Sequence, residues 1–234
     1  MKRKAKSKVW MQEHVADPYV QRAVASGFRS RAAYKLIEID DHDGLLRHGQ
    51  TVVDLGAAPG SWSQVIAKRV RPGGRVISVD LLPVDPIAGV TMIQGDFREQ
   101  AVLAAVTQAL GGEKADLVVS DMAPNLTGVA ASDQARAVHL CELALEFSRA
   151  SLNPKGALLV KAFQGAGYPE FLAEMRRYFV SVVSRKPKAS RGRSTEMYLL
   201  GSGLKSGLKS GLKSGLRPGM RSESPEMPEA PKTR

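Results

Sequence analysis

A disulfide is excluded at the outset, because the 234 residues contain one cysteine, Cys141. That usage fits a reducing compartment, and Cys141 sits in an apolar helical pattern where a free cysteine serves as core filler. No apolar run approaches the roughly 20 residues of a membrane span, and the basic N-terminus is not followed by an apolar signal core. A cytoplasmic chain with no membrane partner is expected. The dinucleotide fingerprint G-x-G-x-x-G is missing too. The one glycine turn after an apolar strand, TVVDLGAAPG at 51–60, is spaced G-x-x-x-G, which argues against a nicotinamide dehydrogenase.

Acidic residues are absent from the first nine positions, MKRKAKSKV, which carry five positive charges. Residues 1–9 read as a flexible arm that binds phosphate by counterion release. The whole chain has a net charge of +11 and a pI near 9.9. A polyanion, most economically nucleic acid, is the implied partner. Arg29, Arg31 and the loop 186–193 are expected to supply the phosphate-binding surface.

Apolar residues are scarce again past Leu200. GLKS recurs at 203–206, 207–210 and 211–214, and GLRP follows at 215–218. Gly and Ser at half the positions leave too little apolar surface to offset chain entropy. Residues 202–234 therefore read as a disordered tail. The tail holds only +4 of the net charge, so the basic balance belongs mainly to the rest of the chain.

Between arm and tail, residues 10–201 can bury one substantial core. Apolar strands end in acids at Asp54, Asp80, Asp96 and Asp121, and a fifth strand, GALLVKAF, contains Lys161. Helical segments alternate with them, the first capped by Ser30 and the others at 61–70 and at about 99–110, 132–152 and 169–179. That order predicts an α/β fold with a mostly parallel sheet, closed by an antiparallel edge hairpin built from FVSVVSRKP and TEMYLLG. Ligands of such sheets bind beyond the carboxyl ends of the strands, where the acids cluster. Asp80 lies about twenty residues past the glycine turn, where such folds hold a ribose hydroxyl pair.

In order and spacing, SRAAYKL, VVDLGAAPGSW, DLLPVDPIAGV, QGDF, VVSDMAPNLTG, LLVKAFQG and RSTEMYL resemble the FtsJ/RlmE family of ribosomal RNA ribose 2′-O-methyltransferases. The resemblance spans roughly residues 10–200. It implies a Rossmann-like fold with a seven-stranded sheet and S-adenosylmethionine as methyl donor, with Gly60, Trp62, Asp80, Asp96 and Asp121 as cofactor-binding residues. It also implies a catalytic Lys-Asp-Lys-Glu tetrad formed by Lys35, Asp121, Lys161 and Glu196, with no metal. One departure is visible: the family's usual AAPGGW reads AAPGSW, with Ser61 in place of glycine. Lys161 would accept the hydroxyl proton or stabilise the emerging alkoxide, and Asp121 would orient it. Lys35 would supply field and contact the nucleotide, and Glu196 would position Lys35 or the sugar. The expected substrate is a uridine of 23S rRNA in the large (50S) subunit, methylated by a monomer. Transfer RNA or messenger cap methylation, and a catalytically silent RNA-binding assembly factor, stay open as alternatives.

Overall fold

A computed structural model of the chain describes residues 17–192 and 194–205. The basic arm and most of the GLKS tail lie outside these residues. Seven strands form one sheet: β1 Thr51–Leu55, β2 Arg75–Asp80, β3 Val90–Gln94, β4 Ala115–Ser120, β5 Leu152–Phe163, β6 Phe179–Arg185 and β7 Glu196–Leu204. The helices are α1 Pro18–Ala25, α2 Ala33–Asp43, α3 Ser61–Arg69, α4 Gln100–Leu110, α5 Ala130–Ser151 and α6 Tyr168–Tyr178.

The sheet order is β3-β2-β1-β4-β5-β7-β6. The first five strands are parallel, and β7 runs antiparallel to both β5 and β6. The closing hairpin thus lies at the edge as expected, with its second strand inserted inside its first. This insertion places Tyr198 directly opposite Lys161 and Glu196 opposite Phe163.

Alternation along each strand sorts side chains onto two faces. On one face Val53, Leu55, Leu158 and Val160 pack with Val106 of α4, Leu145 of α5 and Phe171 of α6. On the other, Val52, Leu117, Leu159 and Tyr198 pack with Leu36 of α2 and Ile66 of α3. Cys141 is buried among the first set as core filler, and burial pushes its thiol up to about 12.

Three local readings need correction. Helix α1 escaped the sequence reading, although Asp17 caps it by accepting from the Tyr19 N–H at 2.9 Å, with Pro18 beside the cap. Ser30 does not cap α2, which starts at Ala33 behind Ala32. Its hydroxyl instead meets that of Ser61 at 2.8 Å. The boundary set at 202 also falls short, because β7 continues through Leu204 and the Lys205 N–H reaches the Tyr178 carbonyl at 2.9 Å. Pairing of Leu204 with Phe179 of β6 thus carries the sheet into the start of the first GLKS repeat, which composition alone does not foresee.

Candidate active site

The carboxyl ends of β1, β2 and β4 open on a cleft of about 420 Å³, within the range of small-molecule sites. Gly56, Ala58, Asp80, Leu82, Asp96 and Asp121 are among its lining residues. A larger, shallower cavity of about 830 Å³ lies at the opposite edge, near Arg47, Asp116 and Asn153. It holds none of the clustered strand-end acids, and Asp116, near the start of β4, already accepts from the Thr51 N–H and the Asn153 amide. The chemistry therefore belongs to the smaller cleft.

The glycine turn enters the cleft in the left-handed conformation that favours glycine, with φ of +75° at Gly56 and +103° at Gly60. A Cβ on Gly56 would stand 2.3 Å from the Met122 side chain. A Cβ on Gly60 would meet Arg29 at 2.7 Å and Ile87 at 2.8 Å. Gly60 is thus required by protein groups already in place, and it directs the chain into α3.

Asp80 accepts the Ala58 N–H and the Leu82 N–H, each at 2.8 Å, so its carboxylate faces the cleft in a fixed pose. Asp96 is paired with Arg98, which holds its carboxyl below the usual range against the opposing effect of burial. The indole of Trp62 points elsewhere. It is 2% exposed, stacks near Tyr198 at 5.7 Å between centroids, and donates to the Ala32 carbonyl at 2.8 Å. Trp62 is not among the residues that line the cleft.

Asp54 lies beneath the turn, 1% exposed. One carboxylate oxygen accepts from Ser63 at 2.6 Å, and the other has no hydrogen-bond partner. Burial above all, with repulsion from Asp121 and Asp80, pushes its pKa up to about 7.

The four residues of the expected tetrad meet at one point. Lys161 Nζ lies 3.0 Å from the Asp121 carboxylate and also donates to the Asp121 carbonyl. Lys35 Nζ stands 2.8 Å from Glu196 and 4.0 Å from Asp121. Ser190 donates to Glu196 at 2.7 Å. Burial raises the pKa of Asp121, but the two lysines outweigh it and hold the carboxyl below its ordinary value.

Tyr198 escaped the sequence reading. Its hydroxyl donates to Asp121 at 2.6 Å, and Lys35 lies 5.8 Å from its ring centroid. Glu196 and Tyr198 are two apart on one strand and so share a face, which was the pattern that could have found it. Burial foremost, and the nearby Asp121 and Glu196, push the Tyr198 hydroxyl well up, so it stays a donor.

Lys35 and Glu196 also line a smaller cavity of about 250 Å³ with Ser30, Arg31 and Arg191. Asp121 lines the first cleft. The tetrad therefore stands between two concavities, one acidic and one basic. The expected phosphate surface is smaller than the charge count suggests. Arg31 is engaged with Asp17 and the Ala189 carbonyl, Lys186 donates to the Ser194 and Glu196 carbonyls, and the Arg29 guanidinium is turned onto backbone carbonyls. Arg191 and Lys188 are left for a ligand in that loop, with Arg193 outside the described residues. Among the described residues no cluster could hold a metal ion, and no helix is long and apolar enough to cross a membrane.

Comparison with known proteins agrees with this geometry. The FtsJ-like methyltransferase family model matches residues 28–204. A protein of Azoarcus sp. (strain BH72), named ribosomal RNA large subunit methyltransferase E, is 60% identical over 205 residues, covering 88% of this chain and all of that one. Its namesake in Dechloromonas aromatica (strain RCB) is 58% identical with the same coverage. A solved ribosomal RNA methyltransferase from Plasmodium falciparum is 31% identical with a TM-score of 0.69, covering 76% of this chain and 98% of that one. With about three quarters of the chain matched and Asp80, Asp96 and Asp121 in one cleft, this protein belongs to the FtsJ-like methyltransferase family.

Proposed function

We propose that this protein transfers a methyl group from S-adenosylmethionine to the ribose 2′-oxygen of a uridine in 23S rRNA of the large ribosomal subunit. The observation that carries the reading is a tetrad that joins two concavities: Asp121, paired with Lys161, lines the cleft, and Lys35 and Glu196 line the basic cavity. A donor bound in the cleft and a ribose bound beside Lys35 would meet there.

The residues fit that donor. Asp80 offers a carboxylate, braced by two backbone N–H groups, to a ribose diol. The Gly56 turn brings backbone to the cleft wall, and Asp96 lines the same cleft. When bound, S-adenosylmethionine supplies an electrophilic methyl group on a sulfonium. The chain's own work is alignment and management of the hydroxyl proton.

An ammonium has three hydrogens. Those of Lys161 serve the Asp121 carbonyl and carboxylate, which leaves one for the attacking oxygen. This arrangement favours Lys161 as a fixed positive charge beside the attacking oxygen rather than as the proton acceptor: the oxygen–methyl bond would form as the methyl–sulfur bond breaks, and the hydroxyl proton would pass to solvent water. Asp121, fixed by Tyr198 and charged at neutral pH, holds Lys161 in place. Glu196 and Ser190 hold Lys35 over the basic cavity, where Arg191 offers a contact for phosphate.

The names of the relatives point to large-subunit ribosomal RNA, and the net charge of +11 suits it. The test is labelled-methyl transfer onto large subunits isolated from a strain lacking this enzyme, followed by mapping of the modified nucleotide. A 2′-O-methyluridine in 23S rRNA is expected. Labelling of transfer RNA alone, or of a base atom, would refute the substrate assignment.

A further inference from the structure

Arg29 belongs by charge to the RNA side of the molecule, yet its hydrogen bonds run the other way. Its Nη1 donates to the Pro59 carbonyl and the Asp85 carbonyl, each at 2.9 Å, and its Nη2 to the Pro86 carbonyl at 3.1 Å. Pro59 lies in the glycine turn beside Ala58, and Asp85 and Pro86 lie in the loop that begins with Leu81 and Leu82. Ala58, Leu81 and Leu82 all line the cleft. One guanidinium thus braces two walls of the donor site against each other, and the Gly60 position is kept bare partly to admit it.

The segment that carries Arg29 is itself fastened to α3. The Arg29 N–H donates to Gln64 at 2.9 Å, and the Gln64 amide donates to the Gly27 carbonyl at 3.0 Å. Ser30 and Ser61 share a hydrogen bond at 2.8 Å, and Ser61 is 3% exposed. A glycine at 61 could not make that bond. Ser61, the one departure from the motif pattern, is therefore a working part of the same brace.

We propose that Arg29 is a positioning residue of the methyl-donor site, which sets affinity for S-adenosylmethionine by bracing the 57–60 turn against the 81–88 loop, with Ser61 locking the brace to α3. The inference rests on the donor reading of the cleft. A guanidinium fork reaches three acceptors in fixed directions, whereas an ammonium offers one compact point of charge. Arg29→Lys therefore keeps the charge and loses the brace.

The experiment uses the full chain and two titrations. S-adenosylmethionine is titrated by calorimetry into wild type, Arg29→Lys, Arg29→Gln and Ser61→Gly, with thermal melting to confirm folding. A 12-nucleotide RNA is titrated into wild type and Arg29→Gln at several salt concentrations. Both Arg29 variants should bind S-adenosylmethionine about five- to thirtyfold more weakly, as loss of hydrogen bonds from a charged group implies, and Ser61→Gly about threefold more weakly. In turnover, the KM for S-adenosylmethionine should rise while kcat stays within about twofold. The salt slope of RNA binding should be unchanged in Arg29→Gln, since a lost phosphate contact would lower it by about 0.7. Unchanged S-adenosylmethionine affinity, full rescue by lysine or a reduced salt slope would each overturn the inference. If Arg29→Gln does not fold, Arg29→Lys and Ser61→Gly decide it. Failure of the wild type to bind S-adenosylmethionine would overturn the donor reading itself.

Discussion

Asp121 faces two ways: it lines the cleft, and its carboxylate receives Lys161 and Tyr198. Its charge is what holds Lys161 at the junction, so the lysine can be tested for charge against basicity. In single-turnover methyl transfer at saturating donor, Lys161→Ala should lose on the order of 10²–10⁴ in rate. Lys161→Arg should keep a sizeable part of it if positive charge is what matters, because arginine does not deprotonate. A dead arginine variant with normal donor binding would return the proton-acceptor role to Lys161. Tyr198→Phe removes one donor from a mostly buried carboxylate. It should cost about 1–2 kcal/mol of stability and about tenfold in rate, read by urea unfolding and by the same assay. An unchanged rate would show that Lys161 alone suffices to fix Asp121.

Asp54 gives the fold a pH signature. Its folded pKa of about 7 lies above its unfolded 3.8, so the folded state holds a proton that the unfolded state releases. Stability should fall as pH rises from about 4 to about 7 and level off beyond, by an amount on the order of a few kcal/mol. Asp121, shifted downward, acts oppositely: its contribution is present above the ordinary carboxylate pKa and lost as pH falls through its lowered value. Asp54→Asn should flatten the decline between pH 4 and 7 in urea midpoints. An equally steep decline would mean another group carries it.

At the scale of elements, the strands and the chemistry at their ends were legible because alternation and terminal acids are local properties. Asp54, Asp80, Asp96 and Asp121 could be placed on one edge from their strand positions alone. Tyr198 and the inward turns of Arg29 and Trp62 were not legible, since they depend on which strand pairs with which and on backbone carbonyls that sequence does not locate. A basic residue reads as a phosphate contact until its acceptors are known, and Arg31 and Lys186 proved to have acceptors within the protein. Asp80 likewise has partners within the protein, bracing two loops as well as facing the cleft. Asp80→Ala should weaken S-adenosylmethionine binding by about 1–3 kcal/mol in calorimetry. Asp80→Asn keeps an acceptor for one loop and should recover part of that loss. No change in either variant would remove Asp80 from the donor site.

For the whole molecule, the end of the fold is set by pairing rather than by composition. A chain ending at Ser202 loses the Leu204 to Phe179 pairing and the Lys205 to Tyr178 hydrogen bond. It should melt a few degrees below a chain ending at Lys205, as a loss of about 1 kcal/mol implies for a domain of this size. Equal melting temperatures would restore the boundary read from composition.

The placement of β7 also fixes when the site can exist. Edge strand β6 joins the sheet only through β7, and β7 brings Glu196 and Tyr198. A chain still being synthesised can assemble the five parallel strands, with Lys35, Asp121 and Lys161 already made, and yet have no carboxylate from Glu196 for Lys35 and no hydroxyl from Tyr198 for Asp121. The first of the two final strands can pack on α6, but it gains its place in the sheet only when the second arrives. The tetrad is thereby incomplete until β7 has emerged and paired with β5.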